Sequence, residues 1–293
     1  MLEFNEKSTR FGWIFLMLLA IMFEKGGETM GKFDGYLIAS DIDGTFKGRG
    51  DHAKAITDEN FRAAQYFIEN GGRFTFITGR TVDFLLEMGF LPIINAPACL
   101  YNGAIIYDYQ KGQAIRETWL EYSLHDFLNA IAEKIDAVKT VHFYPQDTRE
   151  IGRYNVGEPY PEDVGNLPKI ICTFENPELA AEFAEYAKAL PLLKDTYICR
   201  SWSVGVEFNA AHATKGHALQ FIKEYLGDIH TAIGIGDYEN DVKLLEMADI
   251  GVAVGDGIQA VKDVADWVVK PCAEYAVRDL IERLETRIDC GLV

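Results

Sequence analysis

From Met30 onward, short unbroken apolar runs alternate with stretches whose apolar residues recur every three or four positions, and glycines stand between them. An unbroken run of four to six residues reads as a strand buried on both faces, and the longer spacing as a helix with one buried face. Residues 36–40 are expected to form a strand that Gly44 turns away. A helix capped by Thr57 runs to about Asn70 and closes at Gly71-Gly72. A strand over 73–78 then ends at Gly79-Arg80, a short helix follows, and residues 98–101 lead into Asn102-Gly103. The same rhythm returns late in the chain. A helix over 215–225 closes at Gly227, and a strand over 231–235 ends in Gly236-Asp237. The chain then alternates through a helix over 240–248, a strand over 250–254, a helix over 258–264, a strand over 267–269 and a terminal helix.

The middle of the chain has a different texture. Ser123 and Asp126 have the spacing of a capping box before a periodic helix over 127–135. Residues 145–168 carry several prolines and glycines and read as loops. A strand over 169–174, a helix opened by Asn176-Pro177 and running to 190, and a hairpin of strands over 196–201 and 203–209 complete the segment. The fold class expected is therefore α/β, with a doubly wound, Rossmann-like parallel sheet interrupted by an α+β module. The expected division is a core of 31–117 and 210–293, an inserted domain of 118–209, and an N-terminal extension of 1–30.

Composition narrows the function classes. Lys plus Arg number 28 against 45 Asp plus Glu, a net charge of −17. A surface that acidic disfavours nucleic acid and anionic membrane as partners, since both need clustered positive charge. The five cysteines are scattered without a CxxC pair, as expected of reduced thiols in a cytoplasmic protein. An apolar run over 11–23, with Lys7 and Arg10 before it, is too short to span a bilayer, which takes about 20 residues. It has the shape of a signal or anchor segment without a clear cleavage site. The preferred expectation is an extension upstream of a functional start at Met30.

The chemistry concentrates at four places. Asp41 and Asp43 stand one residue apart where the first strand ends, the edge at which open α/β sheets place ligands. Two adjacent carboxylates there imply a metal site, an acid/base site, or both. Thr78-Gly79-Arg80 ends the second strand, Lys215-Gly216 opens a helix, and Gly236-Asp237-Tyr238-Glu239-Asn240-Asp241 follows a late strand. Taken singly, Asp-x-Asp-Gly is most often a solvated turn, Lys215 a surface lysine and Asp237 a helix cap. All four in the right order make that bland reading a poor one.

In this order, with Tyr101-Asn102-Gly103-Ala104 and Val206-Glu207-Phe208-Asn209, the motifs resemble the haloacid dehalogenase superfamily of phosphohydrolases, in its Cof-like branch, over about residues 34–285. The resemblance implies a haloacid dehalogenase-type core with an α/β cap, and a phosphomonoester hydrolase acting on a small phosphorylated metabolite, a sugar phosphate or a phosphorylated cofactor. Asp41 would be the nucleophile and Asp43 the general acid and base. Mg²⁺ would be held by Asp41, the main-chain carbonyl of Asp43, and Asp237. The main chain about Ile42 and Gly79, the Thr78 hydroxyl, Lys215 and Asn240 would hold the phosphoryl group. Asp241, Arg80 and Asn102 would support them. The inserted domain would close over the site, with the segments 142–144 and 200–202 as candidates for its inward face. Two alternatives remain: a phosphomutase of the phosphomannomutase type, and a non-catalytic binding protein on the same fold. Oligomeric state is not legible.

Overall fold

The computed structural model describes residues 31–49, 58–145, 151–162 and 164–293. The expectations for residues 1–30 and the Thr57 cap lie outside the described residues.

The first strand, β1 (Tyr36–Ser40), is buried at all five positions. Its side chains alternate between two cores even so: Tyr36 and Ile38 join one apolar cluster, Leu37 and Ala39 another on the opposite face. α1 (Glu59–Glu69) starts at Asp58, whose carboxylate accepts from the Asn60 amide. β2 (Arg73–Phe76) is shorter than expected, because Ile77 makes only an isolated bridge to Cys99 and the chain then leaves the sheet. α2 (Val82–Glu87) and β3 (Ala98–Leu100) follow. β4 (Ile105–Asp108) and β5 (Gln113–Glu117) then fold back antiparallel on β3, a three-stranded sheet the sequence reading did not foresee.

The inserted segment opens with α3 (Leu124–Ala130), and Ser123 and Asp126 form the expected capping box. Regular helix stops earlier than 135 and continues as 3-10 turns over Ala132–Ala137. Five strands follow in this layer: β6 (Thr140–Phe143), β7 (Gly152–Asn155), β8 (Ile170–Thr173), β9 (Thr196–Trp202) and β10 (Gly205–Ala210). They form one antiparallel sheet in the order β7-β6-β8-β10-β9. β7 lies in the stretch read as loops. α4 (Pro177–Lys188), capped by Asn176, packs on this sheet around Phe127, Phe183 and Phe208.

The chain then returns to the core. α5 (Lys215–Leu226) is capped by the Thr214 side chain and ends at Gly227, whose φ of 74° is the left-handed conformation that glycine tolerates. β11 (Thr231–Gly236) leads to a 3-10 turn over Glu239–Asp241 and then α6 (Val242–Met247), so the single helix expected over 240–248 is split. β12 (Ile250–Ala253), α7 (Gln259–Val264), β13 (Trp267–Val268) and α8 (Ala276–Asp289) complete the order.

The main sheet runs β13-β12-β11-β1-β2, parallel throughout, with an apolar cluster on each face. The chain leaves β1 toward β2 and later returns on the other side at β11. The point where that direction reverses lies between β1 and β11, and its carboxyl edge is where such sheets bind ligands. No helix among the described residues is long and apolar enough to cross a membrane.

Candidate active site

Asp41 and Asp237 are the first residues beyond two hydrogen-bonded parallel strands, β1 and β11, whose last paired positions are Ser40 and Ile235. Their carboxylates therefore emerge side by side at the switch point. Both are almost fully buried, and with Asp241 they offer carboxylate oxygens that all lie within 4.8 Å of one another. Three such groups without a counter-charge would not stay ionised together.

Part of the counter-charge is Lys215, the first residue of α5. It is fully buried, and its Nζ donates to Asp41 Oδ1 at 2.7 Å and to Asp241 Oδ1 at 2.5 Å. The second Asp241 oxygen accepts from the main-chain amides of Asp237 and Tyr238 at 3.0 and 3.1 Å. Asp241 is thus occupied on both oxygens, and it holds Lys215 and the 237–238 turn in place. Asp237 accepts from Arg49 Nη2 at 2.8 Å and from the Thr45 hydroxyl at 3.2 Å.

Asp43 sits apart from this cluster, on the turn that reverses the chain after β1. The carbonyl of Ile42 accepts from the amides of Thr45, Phe46 and Lys47 there, while the Ile42 side chain is buried in the core. Gly44 has φ +95°, and a Cβ on it would stand 2.5 Å from Asp237 Oδ2, so the turn admits only glycine. Arg80 Nε donates to Asp43 Oδ2 at 2.7 Å. Asp43 Oδ1 is buried and accepts no hydrogen bond, with Lys47 Nζ 3.4 Å away.

Environment separates the two aspartates. Burial pushes the Asp41 carboxyl up to about 8; Lys215 opposes the shift and the neighbouring Asp241 and Asp237 add to it. Burial likewise raises Asp237 to about 6, with Asp241 reinforcing it and Arg49 opposing. Burial also acts to raise Asp43, but Arg80 and Lys47 outweigh it and hold that carboxyl below its ordinary value. Burial acts to lower Lys215, yet Asp241 and Asp41 reverse the sign and its ammonium is held well above the usual range.

The remaining residues named from the sequence gather round a cleft of about 470 Å³ that Asp41 and Asp43 line together with Thr78, Gly79, Arg80 and Asn240. That is an ordinary volume for a small-molecule site. The Thr78 hydroxyl accepts from the Arg80 amide at 3.2 Å. Asn240 Nδ2 donates to Asn102 Oδ1 at 3.2 Å, and Asn102 (φ 62°) donates in turn to Glu207.

Several residues of the cleft escaped the sequence reading. Arg49 and Lys169 line it, Lys47 flanks Asp43, and Glu207, named from the sequence only as part of a motif and given no role, lines it too. Two of these carried a signal. Lys169 and Glu207 are charged residues set within apolar strand segments, Pro-Lys-Ile-Ile and Val-Glu-Phe, and charges so placed are paired or functional more often than solvated. Of the two aromatic segments proposed for the inward face, Tyr144, Ser201 and Trp202 line the cleft.

Residues 38–281 match the family model of haloacid dehalogenase-like hydrolases. A 5-amino-6-(5-phospho-D-ribitylamino)uracil phosphatase of Bacillus subtilis strain 168 is 26% identical over 248 residues, covering 84% of this chain and 94% of the relative. A second phosphatase of the same name and organism is 25% identical over 254 residues, covering 79% and 90%. The solved structure of a sugar phosphatase of haloacid dehalogenase subclass IIB shares the fold, with a TM-score of 0.66 at 19% identity over 88% of this chain and all of that one. The chain belongs to the haloacid dehalogenase superfamily, among the phosphatases of its Cof-like branch that carry an α/β cap over a parallel-sheet core.

Proposed function

We propose that the protein is a Mg²⁺-dependent phosphomonoester hydrolase of a small phosphorylated metabolite, a sugar phosphate or a phosphorylated cofactor precursor, working through an aspartyl phosphate on Asp41. The observation that carries this reading is the division of the two aspartates. One Asp41 oxygen is tied to Lys215, while Asp43 keeps a buried oxygen with no hydrogen bond beside the same cleft. Asp41 attacks phosphorus, the bond to the leaving oxygen breaks, and Asp43 gives that oxygen its proton. Water then attacks the phosphoryl-aspartate, Asp43 takes a proton from it, and inorganic phosphate leaves with Asp41 regenerated. Arg80 favours the ionised Asp43 that the second step needs. The first step requires that Arg80 loosen this hold and turn to the phosphoryl oxygens of the entering substrate.

The donor set suits a hard divalent cation, because it gathers three carboxylates within 4.8 Å of one another without enough protein cations to neutralise them. Asp41, the Asp43 carbonyl and Asp237 would hold it, since the Asp241 oxygens are committed to the buried Lys215 and to two main-chain amides, whereas Asp237 is met by a half-exposed arginine and a hydroxyl at 3.2 Å. When bound, Mg²⁺ supplies charge neutralisation that lets a carboxylate approach a phosphate dianion. Lys215, Thr78 and Asn240 position the transferring group. The two uracil-derivative phosphatases among the relatives support a phosphorylated cofactor precursor within the substrate class. Five unpaired cysteines support a reducing, cytoplasmic setting.

Turnover of p-nitrophenyl phosphate with Mg²⁺ tests the assignment. Asp41→Asn is expected to lower kcat by roughly 10³-fold or more while leaving the circular dichroism unchanged. Undiminished activity refutes it. With a hexose phosphate, steady release of inorganic phosphate fits the hydrolase, and isomerisation without release fits a mutase instead.

A further inference from the structure

The cap and the core meet in a buried polar network centred on an ion pair that the reaction outlined above does not use. Lys169, just before β8, and Glu207, on β10, are each only 2% exposed, and Lys169 Nζ lies 3.3 Å from Glu207 Oε2. Burying an isolated ammonium costs several kcal/mol, so a lysine so placed is kept only with its counter-charge and further hydrogen bonds. Lys169 has both. Its second donor crosses from the cap to the core and reaches the carbonyl of Gly79 at 2.8 Å. The Tyr144 ring lies below the ammonium, 5.3 Å from its centroid. Glu207 is fixed from the core side in turn, accepting from Asn102 Nδ2. Asn209, also on β10, donates to the carbonyls of Tyr101 at 2.8 Å and Pro168 at 3.1 Å.

The target of Lys169 is what gives the network a role. Gly79 lies between Thr78, which lines the cleft, and Arg80, whose guanidinium holds Asp43. Other contacts across the boundary, Arg200 with Glu239 and Arg49 with the Ser201 carbonyl, involve partly exposed side chains and go elsewhere in the site. Water screens them, whereas the buried donor on Gly79 acts in a low dielectric. We propose that the Lys169–Glu207 pair is a positioning device. It is the cap's hold on the phosphate loop 78–80, which sets the place of Thr78 and of Arg80 and, through Arg80, the orientation of Asp43. The inference rests on the phosphoryl-site reading above. It assigns Lys169 a task in transition-state placement distinct from contact with the leaving group, although the residue lines the same cleft.

Orthovanadate separates the two tasks, because it occupies a phosphoryl site and carries no leaving group. Its binding with Mg²⁺ would be measured by titration calorimetry on wild type, Lys169→Met, Lys169→Arg and Glu207→Gln, alongside p-nitrophenyl phosphate kinetics and thermal unfolding. Lys169→Met is expected to weaken vanadate binding and lower kcat by about tenfold or more, with KM changed by less than about threefold, since small misplacements of reacting groups act on the chemical step. Lys169→Arg, which keeps the charge and can still donate to the Gly79 carbonyl, should recover most of the loss. A folded Lys169→Met protein with wild-type vanadate affinity and kcat, altered only in KM, overturns the proposal and makes Lys169 a leaving-group contact. Should Lys169→Met fail to fold, Glu207→Gln decides: weakened vanadate binding supports the proposal and wild-type binding overturns it. Wild-type protein that binds no vanadate removes the phosphoryl-site reading itself, and this inference with it.

Discussion

Lys215 sits fully buried with two carboxylates on its ammonium, Asp41 at 2.7 Å and Asp241 at 2.5 Å. Removing that cation leaves two buried acids without compensation. Lys215→Met is therefore expected to cost about 3–5 kcal/mol of unfolding free energy, read from urea denaturation of the metal-free protein, as well as activity. A loss below about 1 kcal/mol would mean that the acids are neutralised by other groups. At this scale the sequence was informative where a residue lies at a strand end or helix start, as Asp41, Asp43, Thr78, Lys215 and Asp237 do. It was silent on Arg49, because nothing local says that its guanidinium folds back onto Asp237, 188 positions along the chain.

Elements buried on both faces were the most legible. β1, β11 and β12 are unbroken apolar runs, and no surface side interrupts the pattern. The missed strands lack that signature. In β5, Gln-Ala-Ile-Arg-Glu, no residue is fully buried, and β7, Gly-Arg-Tyr-Asn, buries Tyr154 alone. Both stand at the edge of their sheets, where partners elsewhere in the chain create the strand. Helix starts were readable where a short side-chain oxygen caps them, as at Asn176 and Thr214, although the helix expected from 127 starts three residues earlier, at Leu124. Asp58 stands at the N-cap of α1, and its side chain accepts from the Asn60 amide at 2.8 Å. Asp58→Ala is expected to lower stability by about 1 kcal/mol without changing kcat. A change in kcat instead would tie this helix to the site.

At the scale of the whole molecule, a net charge of −17 surrounds the site, so under the proposed function local cations and a metal would have to carry the attraction for an anionic substrate. The acids of the site make that dependence visible in pH. Asp41 is raised to about 8 in the fold from an ordinary 3.8. Between those values the native state binds more protons than the unfolded chain. The metal-free protein should thus lose stability as pH rises through that window, and Asp237, raised to about 6, adds to the loss in its lower part. A cation that stabilises the ionised carboxylates removes the penalty. The rise in Tm on adding Mg²⁺ is accordingly expected to be larger at pH 8 than at pH 5. An equal rise at both would disconnect the metal from these aspartates. The cap was legible as an insertion, but its hydrogen bond to the 78–80 loop was not, because Lys169 meets Gly79 only once two distant segments are folded together.

The claim on which the account stands is that Asp41 becomes covalently phosphorylated. Acid quenching during turnover of p-nitrophenyl phosphate with Mg²⁺, borohydride reduction and peptide mass spectrometry test it directly. Reduction of an acyl phosphate converts the aspartate to homoserine, and the account predicts that change at Asp41 and at no other acidic residue. Continued turnover with Asp41 unmodified, or homoserine at another position, would contradict it.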